Sequence, residues 1–260
     1  MANRLITGLT PAREQALQER LMIRLARQAE KPIQREIQRA TRSIARGDDG
    51  AEEIHQERLN RIITSLYTTA FDTFGRRLWN AVKKSTMPTE IKRDQNIPLT
   101  PQFDLARKIW IKAVAAQKVT QIAGTTSEQA KKIIQQAAAD AIEQGLDEKQ
   151  TASLIQSRIA DDGGRLSRLR SRVISRTESH SASNASNQMA VQASGVPMMK
   201  EWIASGGERT RENHLFASGQ TAKLDEPFVV GSDYLMQPGD PGGSPEEIIN
   251  CRCALGYYLP

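Results

Sequence analysis

Two cysteines and a histidine near the C-terminal end of the chain are of types that can hold a metal ion. In an extended segment, Cys251 and Cys253 direct their sulfurs to the same face, because side chains alternate along a strand. Two thiolates and the imidazole of His214 suit zinc, which normally takes four ligands. Asp240 is the nearest acidic candidate for the fourth position. The sequence therefore predicts either a zinc site at these residues or two small buried cysteines that anchor a strand.

The same residues allow nucleophilic catalysis. Cys251 or Cys253 would pair with His214, and the reaction would also need a third, orienting group and a lowered thiol pKa. Three arginines could supply the positive charge that lowers such a pKa: Arg209, Arg211 and Arg252. The sequence contains no Walker-type glycine loop, nucleophile elbow or two-histidine zinc helix. A cysteine or zinc hydrolase built on this trio is thus the enzymatic alternative.

The elements that position these residues lie in a turn-rich segment. Residues 196–260 contain 8 glycines and 6 prolines, whereas residues 101–194 contain 4 glycines and 1 proline. Such a density of both residues indicates many turns. We predict a short helix and three strands: Glu208 to Ala217, Met198 to Ala204, Pro227 to Val230 and Ala254 to Leu259. This part of the chain is expected to form a small loop-rich α+β domain.

The preceding chain is predicted to be long helices. Thr10-Pro11 marks the start of the first, and apolar residues then recur every three or four positions. Later helices are expected at Phe103 to about Ile122, Ser127 to about Gln144, Asp147 to about Asp161, and Leu166 to Ala193. His55 and His180 are predicted to lie on solvated helix faces. The segment from Ser85 to Pro101 has three prolines, which predicts a loop or hinge.

The expected fold class is mainly α, with a long helical N-terminal region followed by the small α+β domain. Three ranges follow: residues 1–100 with two long helices and a proline-containing linker, residues 101–195 as a second helical region, and residues 196–260 as the α+β unit. No run of about 18 apolar residues occurs, so no membrane partner is expected. Two cysteines one residue apart cannot make a disulfide framework.

Charge is distributed unevenly along the chain. The net charge is +6, but residues 1–200 carry +11 and residues 201–260 carry −5. Basic helices of this kind bind DNA phosphates without sequence preference, although a solvated helix surface gives the same pattern. The expected contacts are arginines on the first and last long helices: Arg24, Arg27, Arg35, Arg39, Arg42, Arg165, Arg168, Arg170 and Arg172.

A series of short motifs runs in a fixed order through the C-terminal part of the chain. It comprises Arg176-Thr177-Glu178, Trp202, Arg209-Thr210-Arg211, His214, Gly219-Gln220, Phe228, Pro238-Gly239-Asp240 and Asn250-Cys251-Arg252-Cys253. In this order and spacing, residues of about 166–257 resemble the C-terminal domain of the phage Mu F-like head morphogenesis family, also called minor head proteins.

Several of these motif residues have structural interpretations. Pro238-Gly239-Asp240 can form a tight turn, with glycine adopting unusual backbone angles. Arg209 and Arg211 can bridge to Asp240 or Glu247, and the Asn250 side chain can hydrogen-bond a loop backbone. Together with Trp202 and Gly219, these residues would hold a small domain together without catalysis.

The resemblance implies a minor head (capsid) structural protein of a tailed phage, not an enzyme. It implies association with the portal vertex and assistance in head morphogenesis and in DNA packaging or delivery. The expected partners are the portal protein, other head proteins and packaged double-stranded DNA. The expected location is the virion, in the head interior or at the portal vertex, and the host cytoplasm during assembly. No cofactor is implied, zinc being the one candidate. A hydrolase and a non-virion DNA-binding protein stay open as alternatives.

Overall fold

Long helices form most of the chain and precede a small region of strands and short helices. The computed structural model describes residues 5–48, 50–86 and 100–260. The long helices are α1 (Pro11–Arg46), α2 (Ala51–Ala70), α3 (Arg76–Thr86), α4 (Pro101–Glu143) and α5 (Glu148–Ala193), and a π-helical turn at Phe71–Gly75 joins α2 to α3. The predicted fold class is confirmed. Most of the predicted linker from Ser85 to Pro101 lies outside the described residues.

The ends of these helices have the local chemistry that the sequence predicts. Thr10 begins α1, since its Oγ1 accepts from the Arg13 amide at 3.5 Å. At the start of α5, Asp147 and Gln150 form a reciprocal capping box, with side chain to amide distances of 2.8 and 3.0 Å. Gly145 follows α4 with φ at +65°, a conformation that glycine adopts without strain.

Two predicted helix breaks are wrong. The chain stays helical through Gly124 and through the Asp161–Gly164 segment, so α4 and α5 are each continuous. Both glycines of the second segment keep negative φ and tolerate the helix. A Cβ on Gly163 would lie 3.2 Å from Cγ2 of Thr41, so glycine there permits close approach between α5 and α1. Glycine in a helix therefore marks a packing contact here and not a stop.

The C-terminal region contains five strands and two short helices within the described residues. They are β1 (Met199–Ile203), α6 (Glu212–Ala217), β2 (Thr221–Lys223), β3 (Phe228–Val230), β4 (Asp233–Leu235), α7 (Pro245–Ile248) and β5 (Ala254–Tyr258). An antiparallel sheet has the order β2-β1-β5, and β3 pairs with β4 as a hairpin. The three predicted strands are confirmed, and the predicted helix is present but begins at Glu212, four residues later than expected. Three elements were missed, β2, β4 and α7, because three or four residues are too few to establish a period.

The chain divides into two compact units. One consists of Met1–Ala26, Leu66–Ile111 and Arg176–Pro260, and the other of Arg27–Ser65 and Lys112–Ser175. Each unit therefore joins segments that are distant in sequence. The linear ranges 1–100, 101–195 and 196–260 stay a prediction.

Within the first unit, the strands pack around Trp202. Its ring is fully buried and meets the rings of Phe228 and His214 edge-on, at centroid distances of 5.5 and 5.6 Å. The end of α5 is also buried, and its small side chains let neighbouring elements approach closely. A Cβ on Gly75, for example, would lie 2.6 Å from Oγ of Ser186. Among the described residues, no helix is both long and apolar enough to cross a membrane.

Candidate functional site

Folding brings His214, Cys251 and Cys253 into one buried cluster. Nδ1 of His214 lies 3.2 Å from Sγ of Cys253 and 3.5 Å from Sγ of Cys251. One ligand atom from each residue lies within 4.8 Å of the others. All three residues are at most 2% exposed. Three soft donor atoms thus converge on one point, although the nearer cysteine lies 37 positions after His214 in the chain.

The backbone on either side holds the two cysteines in place. Cys253 immediately precedes β5, in which Ala254 and Leu255 pair with Ile203 and Trp202 of β1. Before the cysteines, Asn250 adopts a left-handed conformation with φ at +57°, and its amide donates to Oγ1 of Thr177 at 3.1 Å. The sequence predicts a hydrogen bond between the Asn250 side chain and a loop backbone. This prediction is wrong for the Oδ1 atom, which is buried and has no hydrogen-bond partner among the described residues.

Glu247 orients the histidine of the cluster. Its Oε2 lies 2.9 Å from Nε2 of His214, and its Oε1 accepts from Nδ2 of Asn213 at 2.7 Å. The carboxylate therefore accepts the Nε2 proton and leaves Nδ1 directed at the sulfurs. The sequence did not reveal this partner, because nothing in the spacing of Glu247 and His214 distinguishes it from other acidic residues nearby.

Asp240, the candidate for the fourth ligand, has another role. Its two carboxylate oxygens accept from the amides of Met236 and Gly242 at 2.8 and 3.0 Å. The residue therefore stabilises the turn around Gly239, where φ is +73° and the Asp240 amide donates to Gln237. The predicted tight turn is confirmed, but Asp240 is not part of the cluster.

The predicted bridges from arginine to Asp240 or Glu247 are absent from the ion pairs of the described residues. Instead, Nη2 of Arg211 donates to the carbonyl oxygen of Ile249 at 2.6 Å, which fixes the loop before the cysteines. Arg209 lines a cavity described below.

The environment of the cluster alters the ionisation of its members. A hydrogen bond from Cys251 lowers the pKa of Cys253 to about 5, and the neighbouring His214 ring acts in the same direction. Burial raises the pKa of Cys251 well above its ordinary value. Burial also acts to lower the pKa of His214, but the hydrogen bond and charge of Cys253 outweigh it and raise that pKa. A thiolate on Cys253 is therefore favoured beside the imidazole.

The other two histidines are buried, so the prediction of solvated helix faces is wrong for both. Nε2 of His180 donates to the carbonyl oxygen of Cys253 at 2.7 Å, and burial lowers the pKa of His180. His55 lies 3.3 Å from the buried Glu36 carboxylate. The sequence did not indicate this burial, because polar neighbours usually mark an exposed helix face. At the Ser/Asn-rich end of α5, however, small polar residues are buried on all sides of the helix.

A cavity of about 420 Å³ opens onto the cluster. All three cluster residues contribute to its wall, together with Thr210 and four arginines: Arg176, Arg209, Arg211 and Arg252. Small ions and anionic groups can therefore reach the sulfurs although the side chains are buried.

The arginines predicted to contact DNA are mostly exposed, as such a role requires. Those on α1 lie at spacings of three, four or eight residues, which places them along one helix face. The exposed members are Arg24, Arg27, Arg35, Arg39 and Arg42 on α1, and Arg165, Arg168 and Arg172 on α5. Arg170 differs, since its Nη2 donates to Oγ1 of Thr125 at 2.7 Å and the group is only partly exposed.

Two further cations extend this face of α1. Lys31 and Arg46 are exposed and continue the same spacing, which makes a basic stripe: Arg24, Arg27, Lys31, Arg35, Arg39, Arg42 and Arg46. At 1.5 Å per residue, the stripe is about 33 Å long. One member has an acidic neighbour: Nη1 of Arg39 lies 3.5 Å from Oε2 of Glu36. Among the described residues, Arg27, Arg35 and Arg42 make no ion pair.

Comparison with known proteins relates this region to a family. Residues 132–256, from the end of α4 to β5, match the family described as Phage Mu protein F like protein. This part of the chain is therefore similar to that family. The predicted resemblance is confirmed, and the match begins earlier than residue 166. It indicates a phage head-related protein of a structural type, in a family not known as enzymatic.

Among curated proteins, the chain is similar to an uncharacterised protein, YqbB, of Bacillus subtilis (strain 168). The two are 36% identical over 92 residues, which is 34% of this chain and 30% of the relative. The chain thus spans about a third of that relative's length. No solved structure is a significant match to the chain.

Proposed function

We propose that this protein is a minor head structural protein of a tailed phage, associated with the portal vertex and assisting head morphogenesis and DNA packaging or delivery. The observation that carries the proposal is the match of residues 132–256 to the phage Mu F-like family. Its partners would be the portal protein and other head proteins. It would act in the virion and be present in the host cytoplasm during assembly.

Contact with packaged DNA is the second part of the proposal. The basic stripe on α1 presents seven cations along one exposed face. The predicted arginines of α5 lie on a neighbouring helix, since Arg172 of α5 is 3.5 Å from Glu30 of α1. Exposed guanidinium groups bind phosphate without reading base sequence. The stripe is therefore suited to duplex DNA of any sequence.

Co-purification from cells that produce the phage tests the portal association. Cells that express the tagged chain are harvested before the phage lyses them and are then broken open. The tagged chain is captured from the extract, and the proteins bound to it are identified by mass spectrometry. The proposal expects the portal protein at a level well above a capture with an unrelated tagged protein. Recovery of the chain without any head protein would contradict it.

A cysteine hydrolase is the second candidate function, because Cys253, His214 and Glu247 lie in the order of a nucleophile, a base and an orienting carboxylate. The cavity gives this trio a route for a small substrate. Its weakness is that two sulfurs, not one, lie against the same imidazole nitrogen. Loss of a hydrolytic activity in Cys253→Ala and in Cys251→Ala, with folding intact, would favour this candidate over a structural role.

A further inference from the structure

We propose that the cluster binds one zinc ion through Nδ1 of His214 and the Sγ atoms of Cys251 and Cys253, with water at the fourth position on the side of the cavity. This site goes beyond the proposed head function and does not depend on it.

The distances between the donor atoms fit such an ion. A tetrahedral zinc with Zn–N of about 2.0 Å and Zn–S of about 2.3 Å separates nitrogen from sulfur by about 3.5 Å. The corresponding distances are 3.2 Å to Cys253 and 3.5 Å to Cys251. Small adjustments of the side chains therefore suffice to admit the ion. A nucleophilic cysteine would need only one sulfur at the imidazole, whereas both are present here.

Glu247 supplies the support that zinc-binding histidines usually have. Its carboxylate lies 2.9 Å from Nε2, the ring nitrogen that the metal would not use. It thus fixes the tautomer in which Nδ1 carries the free lone pair. The Trp202 ring lies edge-on against the same imidazole and restricts its rotation.

Charge is balanced when a divalent cation occupies the site. The ion displaces the thiol protons as it binds and supplies positive charge to two thiolates in a site that is at most 2% exposed. Zinc with two thiolates and a neutral imidazole forms a site with no net charge. The C-terminal region has short strands and loops, so a metal that joins the helix α6 to the start of β5 would stabilise it.

The fourth position follows from the cavity. Asp240 is held in its turn, and Glu247 is engaged with Nε2 of His214. The cavity reaches all three donors and has room for water or a small anion beside its arginines. The site therefore has the open position that is typical of zinc centres with three protein ligands.

Metal analysis of the full-length chain, purified in reductant without chelator, tests the site. We expect about one equivalent of zinc per chain. Replacement by cobalt should give the thiolate charge-transfer bands and intense visible bands of a tetrahedral site. Chelator should lower the melting temperature of the wild-type protein, a readout that needs no variant.

Variants locate the ion. Cys251→Ser, Cys253→Ser and His214→Gln should each lose zinc, whereas His55→Gln, which alters a buried histidine elsewhere, should retain it. Glu247→Gln should weaken zinc affinity by about 10-fold or more. The proposal is overturned by less than about a tenth of an equivalent of zinc with no uptake of added zinc or cobalt. Retention of full zinc by the three ligand variants would overturn it as well.

Discussion

Gly239 and His180 lie so close together that no side chain fits between them. A Cβ on Gly239 would lie 2.5 Å from Nδ1 of His180, and the glycine has φ at +73°. His180 in turn donates to the carbonyl oxygen of Cys253. The turn that follows β4, the buried end of α5 and the cysteine segment are thus joined through one imidazole ring.

Gly239→Ala should therefore lower the free energy of unfolding by about 2 kcal/mol or more, from backbone strain and from displacement of His180. The measurement is chemical denaturation followed by circular dichroism. Gly206→Ala is the matched control, because φ there is +68° and nothing lies within 4 Å of the added Cβ. An equal loss in both variants would mean that the contact with His180 contributes nothing.

Tyr67→Phe should be destabilising because of Glu178. The Tyr67 hydroxyl donates to the Glu178 carboxylate, and both residues are buried in the first unit. Removal of the hydroxyl takes one donor from a buried acid, which costs about 1–3 kcal/mol. Tyr234→Phe, at a tyrosine that is 74% exposed, should change stability by less than about 0.5 kcal/mol. Similar denaturation midpoints for the two variants would contradict this interpretation.

Lys200 should make stability depend on pH in the alkaline range. Its Nζ is buried, donates to the carbonyl oxygens of Met236 and Leu224 at 2.8 and 3.3 Å, and lies 5.0 Å from the centre of the Phe228 ring. Burial lowers its pKa to about 8 from an ordinary 10.5. Three neighbouring carboxylates oppose this shift: Asp240, Asp225 and Glu226.

Between the pKa of about 8 in the folded protein and the ordinary 10.5, Lys200 is protonated in the unfolded chain but deprotonated in the folded one. The contribution of Lys200 to stability therefore rises with pH. Relative to Lys200→Met, the wild-type protein should gain about 3 kcal/mol between pH 7.5 and 10.5. Denaturation of both proteins at several pH values checks this, since other titrating groups cancel in the difference. A difference that stays constant with pH would show that the lysine does not titrate in this range.

The basic stripe should determine affinity for duplex DNA. Substitution of Arg27, Arg35 and Arg42 by glutamine should weaken binding and reduce the slope of log affinity against log salt by roughly 1 for each lost phosphate contact. Fluorescence anisotropy with duplexes of two unrelated sequences gives both quantities. The matched control replaces three exposed lysines of α4, Lys112, Lys131 and Lys132, by glutamine. Equal effects of the two triple variants would rule out a specific role for the stripe.

The sequence predicted the parts of the fold that depend on local chemistry. The cap at Thr10, the capping box at Asp147 and the turn at Gly239 each involve residues within a few positions of one another, and all were predicted. A helix break at Gly163 was wrongly predicted, because the role of this glycine depends on Thr41, which is 122 positions away. Helix continuity there follows from packing, which the local sequence does not contain.

The candidate site was likewise only partly predictable. Cys251 and Cys253 stand out because cysteines are rare in this chain, and His214 because it is the one histidine in the same segment. Glu247 and the cavity-lining Arg176 are single members of common residue types, and only the fold brings them near the sulfurs. For the same reason, the burial of His180 behind Cys253 could not be read from its polar neighbours.

Mass spectrometry of purified phage particles shows directly whether the chain is a component of the head. Particles of the phage that encodes this chain are separated from soluble protein by density gradient, and peptides of the chain are quantified against the major head protein. We expect the chain in the particle fraction at a small, reproducible ratio to the major head protein. Its consistent absence from complete heads and from head precursors would contradict the assignment as a head component.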